Sequence, residues 1–362
     1  MTTSSRKMDH IRICLEELVE GEARPFDDLM LVHRALPEID ADEIDLGCTF
    51  LGRRLKAPLM ITGMTGGHPD TREININLAR AAQEMGVALG VGSQRAALED
   101  PSQVETFSAV REAAPDVPII GNIGAVQLKR SGPEVITRVA EMIGADAVAV
   151  HLNFLQESVQ PEGERDGSHV LECLKEAALG RVPLIIKETG AGISGEVAAA
   201  IVRSGIRTID VSGTGGTSWS GVEAYRADEH GDQESALMGG LFWDWGMSTP
   251  VSIIECLSSG AEVIASGGVR SGLDVAKSLA LGASLAGTAL PMLEPASSSA
   301  DEVVKALRAF LRALRIAMFL TGSKNITGLK SAPVILTGRT RETLEQRGYD
   351  TRKFSIRREM AR

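Results

Sequence analysis

The stretch EVIASGGVRSG at residues 262–272 joins an apolar run to a string of glycines, and this pattern decides the fold class of the chain. The stretch GASLAGTALP at residues 282–291 repeats it with a second glycine-bearing end. Short, nearly continuous apolar runs are typical of parallel strands that are buried on both faces. Glycines at the ends of such runs let the backbone approach a ligand closely, although tight turns require glycine as well.

Six similar runs precede these two, and segments with helical spacing lie between them. Residues 72–85 and 134–143 have the apolar spacing of amphipathic helices, and Gly86 and Gly144 follow them as C-terminal caps do. Eight strands with crossover helices predict an α/β fold, a (β/α)8 TIM barrel, with a doubly wound sheet as the alternative. The six runs are 57–64 (APLMITGM), 87–94 (VALGVGSQ), 118–124 (PIIGNIG), 145–153 (ADAVAVHLN), 182–190 (VPLIIKETG) and 208–215 (TIDVSGTG).

The chain divides into three predicted parts. Residues 1–56 form an N-terminal arm that closes over the barrel mouth, residues 57–322 form the barrel, and residues 323–362 form a C-terminal helical tail for packing or assembly. An insertion near 216–247 contains all three tryptophans of the chain. They are expected to form either a small separate core or an aromatic lid over an apolar ligand. The tryptophans are Trp219, Trp243 and Trp245.

Composition restricts the classes of partner. The formal net charge is −10, whereas proteins that bind nucleic acid are usually basic, so a nucleic-acid partner is not expected. The four cysteines are too widely spaced to indicate a zinc site or a disulfide framework. The polar N-terminus does not resemble a signal peptide, and no apolar run is long enough to suggest a membrane span. The sequence therefore predicts a cytoplasmic protein without a membrane partner, and the basic residues within 352–362 are interpreted as a solvated helix end.

Two glycine strings predict a phosphate site. In TIM barrels the active site lies at the carboxyl ends of the strands, and the loops after strands seven and eight commonly bind phosphate. Here those loops are 266–272 (SGGVRSG) and 286–289 (AGTA), and a helix is expected to begin after the first of them. Backbone N–H groups and a helix N-terminus favour a phosphate there.

Lys187 ends the apolar run of strand five, where an unpaired charge would be costly. It is interpreted as an amine that forms a Schiff base, as a cation facing an electron-rich cofactor, or as a structural lysine. After strand four, His151, Asn153, Gln156 and Glu157 form a polar cluster with one carboxylate. A carboxylate beside phosphate oxygens is a typical Mg2+ arrangement, and an ordinary polar loop is the alternative.

The N-terminal arm carries cations that an acidic protein would need for a phosphorylated substrate. Arg6, Lys7 and His10 lie within RKMDH, and Arg95 lies within GSQR at the end of strand two. We expect the arm to bring these side chains together over the barrel mouth.

The motifs together resemble one family, the type 2 isopentenyl-diphosphate isomerases, over nearly the whole chain. Asp9 stands where that family is expected to have Glu, a small departure. The resemblance is carried by RKMDHI (6–11), ITGMTGG (61–67), GSQRAALED (92–100), GNIGA (121–125), HLNFLQE (151–157), VQPEG (159–163), IKETGAGIS (186–194), DVSGTGGTSW (210–219), ASGGVRSG (265–272), AGTALP (286–291) and TGSKN (321–325).

This resemblance implies FMN, Mg2+ and NADPH as cofactors, a homotetramer or homo-octamer, and conversion of isopentenyl diphosphate to dimethylallyl diphosphate. It implies that Glu157 binds Mg2+ and that Gln156, His151, Asn153 and Lys187 are catalytic. The implied substrate contacts are Arg6, Lys7, His10, Ser93, Gln94, Arg95 and Gln156. The implied FMN contacts are Thr62, Gly63, Met64, Thr65, Ser93, Asn122, Lys187, Ser212, Thr217, Gly268, Val269, Arg270, Ala286 and Gly287.

Two other functional classes remain open at this point. An FMN-dependent oxidoreductase of the 2-hydroxy-acid oxidase type would share the barrel and its phosphate loops. It would also need a histidine base and an arginine pair for a carboxylate, and the sequence offers no clear set. A catalytically idle barrel that serves in binding or assembly would not need so many polar strand ends.

Overall fold

The computed structural model describes residues 3–356, with side chains from Lys7 onward. Eight strands form a closed barrel in which each strand is parallel to both of its neighbours. The predicted TIM barrel is confirmed, and the doubly wound alternative is wrong. The barrel strands are β1 Leu59–Ile61, β2 Ala88–Gly90, β3 Ile119–Gly124, β4 Ala147–Leu152, β5 Leu184–Glu188, β6 Thr208–Asp210, β7 Glu262–Ala265 and β8 Leu285–Thr288.

Each barrel strand lies inside its predicted apolar run but is shorter than that run. The run 57–64, for example, contains β1 over Leu59–Ile61, and the run 208–215 contains β6 over Thr208–Asp210. The polar and glycine-rich ends of the runs leave the hydrogen-bonded ladder and enter the loops at the carboxyl end of the barrel. Those loops are the part of a TIM barrel that builds active sites.

The helices pack around the barrel and at its two ends. Residues 72–85 and 134–143 are helical with the predicted bounds, and Gly86 and Gly144 end them in left-handed conformations, with φ of 63° and 60°. The helices are α1 Thr3–Glu16, α2 Arg72–Met85, α3 Arg95–Glu99, α4 Glu105–Ala113, α5 Ala125–Ser131, α6 Glu134–Ile143, α7 Phe154–Val159, α8 Val170–Ala177, α9 Gly195–Arg203, α10 Trp219–Glu229, α11 Gln233–Leu241, α12 Thr249–Ser258, α13 Gly272–Leu281, α14 Leu290–Ser298, α15 Ala300–Leu320, α16 Ile326–Lys330, α17 Gly338–Gln346 and α18 Arg352–Ser355.

The barrel interior is filled at one end, which leaves the other end for a site. Met60, Ile120 and Ile264 are buried in an inner cluster together with Phe50 and Leu55. The last two belong to a hairpin of strands Cys48–Phe50 and Arg53–Leu55 that precedes the barrel. The hairpin therefore closes the end opposite the polar loops.

A segment near each end of the described chain takes part in a strand pairing that the sequence did not predict. Leu29–Leu31 pairs antiparallel with Val334–Leu336, so the segment expected to be a helical tail contributes a strand as well as α16 to α18. The boundaries of arm, barrel and tail stay a prediction, and residues 357–362 lie outside the described part. No helix within residues 3–356 has both the length and the apolar character that crossing a membrane requires.

Candidate active site

A cavity with about 1570 Å³ of empty space, part of it open to solvent, lies at the carboxyl ends of the barrel strands. The predicted site residues that line it are Lys7, His10, Thr62, Gly63, Met64, Thr65, Ser93, Arg95, Asn122, His151, Asn153, Gln156, Glu157, Lys187, Ser212, Thr217, Gly268, Arg270 and Gly287.

A few predicted residues are not part of this lining. Gln94 is fully buried in the barrel wall, where its Nε2 donates to the Val139 carbonyl at 2.9 Å and its Oε1 accepts from the Asn122 N–H at 3.0 Å. It holds the wall rather than facing the cavity. Val269 and Ala286 are also fully buried. The side chain of Arg6 lies outside the described part of the chain.

The loops after β6 and β7 approach each other backbone to backbone and form a glycine cradle, whereas the phosphate site was predicted in the loops after strands seven and eight. Gly267 and Gly268 have φ of 93° and 76°, a region that L residues rarely adopt. A Cβ on Gly268 would lie 2.4 Å from the Gly215 carbonyl oxygen, and one on Gly216 would lie 2.4 Å from the Gly268 nitrogen. Side chains at these positions would therefore separate the two loops.

Arg270, at the end of this cradle, is paired with an anion from the N-terminal segment. Its Nε and Nη2 both donate to Oε1 of Glu20. Glu20 is held in place because its carbonyl accepts from Trp243 Nε1 at 3.3 Å and its backbone bridges to Thr217. The Glu20 carboxylate thus occupies the guanidinium that was predicted to bind a phosphate.

Two further features of the cavity lining indicate a ligand site. The Thr65 hydroxyl lines the cavity and is buried without a hydrogen-bond partner, although buried polar atoms are normally paired. Ser212 has a φ of 36°, which is uncommon for a residue with a side chain and is often found at functional sites. The unpaired Thr65 hydroxyl, the close-packed glycines and the strained turn at Ser212 fit a phosphate-bearing flavin.

Lys187 is a half-buried cation at the end of β5. Its Nζ lines the cavity and donates to the Glu188 carbonyl at 2.9 Å. Burial lowers the pKa of Lys187, and the carboxylates of Asp210 and Glu188 oppose that shift. A cation held in this way suits contact with the electron-rich edge of a cofactor ring.

His151 and Asn122 form a fixed pair on neighbouring strands β4 and β3. Asn122 Nδ2 donates to the Val91 carbonyl at 3.0 Å, so its Oδ1 is left to accept from His151 Nδ1 at 2.8 Å. Burial, together with the charges of Lys187 and Lys7, lowers the pKa of His151 to about 3. His151 is therefore a neutral imidazole near pH 7, with Nε2 as a proton acceptor.

Gln156 and His10 are joined by a carboxylate that the sequence analysis missed. Glu223 of α10 is buried, and its Oε1 accepts from Gln156 Nε2 at 2.8 Å and lies 2.9 Å from His10 Nε2. Burial opposes ionisation of Glu223, but His10 and Arg226 outweigh it and lower its pKa to about 2. The sequence does place Glu223 and Arg226 three residues apart, shortly after Trp219, and residues at this spacing can pair on one face of a helix.

Glu157 is the carboxylate that was predicted to bind Mg2+. It is 8% exposed, and its two oxygens accept from Asn153 Nδ2 at 2.9 Å and from the Glu164 N–H at 2.7 Å. No cluster of three or more His, Cys, Asp or Glu side chains suited to a metal exists in residues 3–356. Mg2+ typically uses one or two carboxylates and takes its other ligands from phosphate and water, so a single oriented carboxylate fits a metal bound together with a diphosphate.

The predicted substrate cations lie at the rim of the same cavity. Lys7 Nζ donates to the carbonyls of Gly66 and, at 2.9 Å, Ser93. Arg95 donates to Glu99 at 2.7 Å and to Glu164 at 3.3 Å. Both side chains are thus directed by the loops after β1 and β2 and the segment after α7.

The tryptophans of the insertion have different roles. Trp219 lines the cavity and contacts the His10 ring edge-on, with centroids 5.2 Å apart. Trp243 packs against Tyr225 with centroids 5.7 Å apart, and Trp245 is 63% exposed. Trp219 also packs against a small separate cluster of Ile13, Val19 and Val222, so it lies between that cluster and the cavity, and the lid over an apolar ligand stays a prediction.

Comparison with known proteins agrees with this site. The FMN-dependent dehydrogenase family model matches residues 15–107 and 171–336. The chain is 65% identical to the isopentenyl-diphosphate delta-isomerase of Methanothrix thermoacetophila, over 99% of this chain and 100% of that protein. It is 54% identical to the enzyme of the same name from Methanococcoides burtonii, over 99% of each.

Solved structures share the fold at low sequence identity. A mandelate oxidase bound to 2-hydroxy-phenylacetamide superposes with a TM-score of 0.58 at 18% identity, covering 93% of this chain and 91% of that chain. This likeness shows the barrel fold alone. The full-length relatives and the family model place the chain in a known group: the protein belongs to the type 2, FMN-dependent isopentenyl-diphosphate delta-isomerase family.

Proposed function

We propose that this protein converts isopentenyl diphosphate to dimethylallyl diphosphate with reduced FMN and Mg2+, and that NADPH supplies the reducing equivalents. One observation carries the proposal: a single cavity joins a glycine cradle beside Arg270, the half-buried cation Lys187 and the carboxylate of Glu157. The first two suit a flavin with one phosphate. Glu157, with Lys7 and Arg95 nearby, suits a diphosphate and its metal ion.

The cradle would hold FMN by its phosphate, and Lys187 would face the ring. When it is bound and reduced, FMN supplies an electron-rich ring and an exchangeable proton at N5. Thr65 would gain the hydrogen-bond partner that it lacks. The glycines at 63, 216, 268 and 287 leave no space for side chains beside the neighbouring loops, so the backbone itself forms the wall of the FMN site.

Moving the double bond requires adding a proton at one end of the allylic unit and removing one from C2. The neutral His151 presents a proton acceptor and does not repel a developing positive charge on the substrate. Gln156 donates to Glu223, which leaves its amide oxygen to accept from, or lie against, the reacting atoms. Trp219 adds an aromatic face, which favours a developing carbocation.

At the other end of the cavity, Mg2+ bound to Glu157 would neutralise the diphosphate and hold it in place. Asn153 fixes one oxygen of Glu157, and the Glu164 N–H fixes the other. Lys7 and Arg95 would then contact the diphosphate from the rim.

Product analysis tests the proposed activity. Purified protein is incubated without oxygen with isopentenyl diphosphate, FMN, NADPH and MgCl2, and the products are identified by NMR. Formation of dimethylallyl diphosphate is expected. If no such product forms while 2-hydroxy acids are oxidised, the protein is an oxidoreductase and the proposal is wrong.

Arg270→Ala is expected to weaken FMN binding. Loss of a charged hydrogen bond costs about 1.5–3 kcal/mol, which corresponds to roughly a 10- to 100-fold higher Kd. Glu20→Gln is the matched change on the other side of the ion pair, and it should tighten FMN binding because it removes the carboxylate that competes for the guanidinium. Calorimetry with the apoprotein measures both constants. An unchanged Kd in Arg270→Ala would contradict the phosphate assignment.

The cellular setting belongs to the same proposal. We expect a cytoplasmic homotetramer or homo-octamer. Apolar side chains exposed on and after α11, including Leu237 at 66%, Leu241 at 71% and Trp245 at 63%, support burial of this surface in an assembly. Light scattering of the purified protein measures the number of subunits.

A further inference from the structure

Asp210, at the end of β6, is a buried carboxylate to which the proposed reaction assigns no role. It is 1% exposed, and its Oδ1 accepts from the Ser266 hydroxyl. Its Oδ2 is buried without a hydrogen-bond partner. A half-satisfied carboxylate is costly inside a protein unless a nearby charge stabilises it.

Lys187 is the cation that interacts with Asp210. Asp210 and Lys187 are partners in the β5–β6 register, and paired residues on adjacent strands project to the same face of a sheet. The two side chains are not in direct ion-pair contact, so they interact through the low-dielectric barrel interior. Lys187 lines the cavity and Asp210 lies behind it, so Asp210 acts on a ligand only through Lys187.

The other ionisable groups facing Lys187 do not replace Asp210. Glu188 Oε2 accepts from the N–H groups of Thr189, Gly190 and Ala191 at 2.5 to 2.6 Å, so that carboxylate is directed to its own turn. Burial raises the pKa of both Glu188 and Asp210, and the charge of Lys187 opposes both shifts. On the side of β4 and α1, His151 is neutral and Lys7 carries a like charge. Asp210 is therefore the group placed to balance the charge of Lys187.

We propose that Asp210 is the positioning residue that keeps Lys187 protonated where it faces the flavin ring. The proposal rests on the proposed FMN site. It explains why a carboxylate is kept in the barrel interior with one oxygen unpaired: its charge is used at a distance. It also predicts that the loss of Asp210 changes the spectrum of the bound cofactor, although Asp210 does not contact that cofactor.

The test is a pH titration of the visible spectrum of protein-bound, oxidised FMN. In Asp210→Asn, removal of the nearby negative charge should lower the pKa of Lys187. The spectrum should then show a one-proton transition at lower pH than any such transition of Lys187 in the wild type, because Lys187 deprotonates beside the ring more readily. The transition should disappear in the double variant Asp210→Asn, Lys187→Met. A transition of Glu188 would be present in the wild type, in Asp210→Asn and in the double variant, and this distinguishes it from the transition of Lys187.

Glu188→Gln is the matched control, because it removes a carboxylate from the residue next to Lys187. It should move the Lys187 transition less than Asp210→Asn does. Asp210→Ser is a second neutral variant, which leaves room for a water molecule if the asparagine variant does not fold, and it should titrate in the same way.

The outcomes separate this proposal from the proposed function. If wild type and Asp210 variants all bind FMN and titrate alike, Asp210 does not act on Lys187 and only this inference is wrong. A larger shift in Glu188→Gln would assign the counter-charge to Glu188 instead. If the wild-type protein binds no FMN, the proposed function fails and this inference fails with it.

Discussion

Glu157→Gln is expected to lower turnover by at least about 100-fold, because a metal ion that neutralises a diphosphate contributes several kcal/mol. The variant keeps the shape of the side chain and can still bond to Asn153, but it removes the charge that would hold Mg2+. Raised MgCl2 should restore part of the activity. FMN binding should be unchanged, because the glycine cradle lies on other loops. Initial rates across a MgCl2 series, with the flavin content of each sample, measure the effect.

Asp166→Asn is the matched control for this prediction. Asp166 lies in the segment that follows Glu157, but its carboxylate is 67% exposed and pairs with Lys129. Exposed ion pairs contribute little, so turnover and the Mg2+ requirement should stay near those of the wild type. Normal activity of Glu157→Gln without added Mg2+ would remove the metal role of Glu157.

Lys187→Met is expected to lower turnover by about 100-fold or more, the loss seen when one electrostatic donor is removed from an active site. The ammonium of Lys187 would stabilise negative charge at the N1 side of reduced FMN, and methionine leaves that charge without a counter-ion. The spectrum of the reduced, bound flavin should therefore change from the anionic to the neutral form near pH 7. Anaerobic spectra and single-turnover rates are the measurements.

Lys277→Met separates this electrostatic effect from a general loss of stability. Lys277 is a buried lysine that donates to the Phe26 carbonyl at 2.8 Å and does not line the cavity. Its loss should lower the melting temperature and leave the reduced-flavin spectrum unchanged. An anionic spectrum that persists in Lys187→Met would contradict the role assigned to Lys187.

The barrel could be predicted because its information is local. Buried parallel strands appear as apolar runs, and the amphipathic spacing of residues 72–85 ends at a glycine that adopts the left-handed conformation of a cap. The glycine loop after β7 follows from the same periodicity, whereas residues 286–288, predicted as part of a loop after β8, belong to that strand. The strands were predicted to be longer than they are, because the predicted runs include the first residues of the loops that build the site.

The features that were missed depend on contacts between distant parts of the chain. Nothing in the periodicity of Leu29–Leu31 indicates a partner some 300 residues later, at Val334–Leu336. Glu20 and Arg270 meet only because the N-terminal segment crosses the barrel mouth. The direction of a side chain is equally hidden, so Gln94 was assigned to the substrate although its amide group holds the barrel wall. Glu223 was overlooked for the same reason, because its partners come from α1 and α7.

The stoichiometry of reductant to product tests the central claim most directly. The protein is loaded with FMN, reduced once under anaerobic conditions, freed of excess reductant and given isopentenyl diphosphate and MgCl2 in heavy water. The account predicts many molecules of dimethylallyl diphosphate per flavin, no further reductant consumed, and deuterium in the newly formed methyl group. Consumption of one pair of reducing equivalents for each product molecule would show net redox chemistry and would contradict the isomerase function.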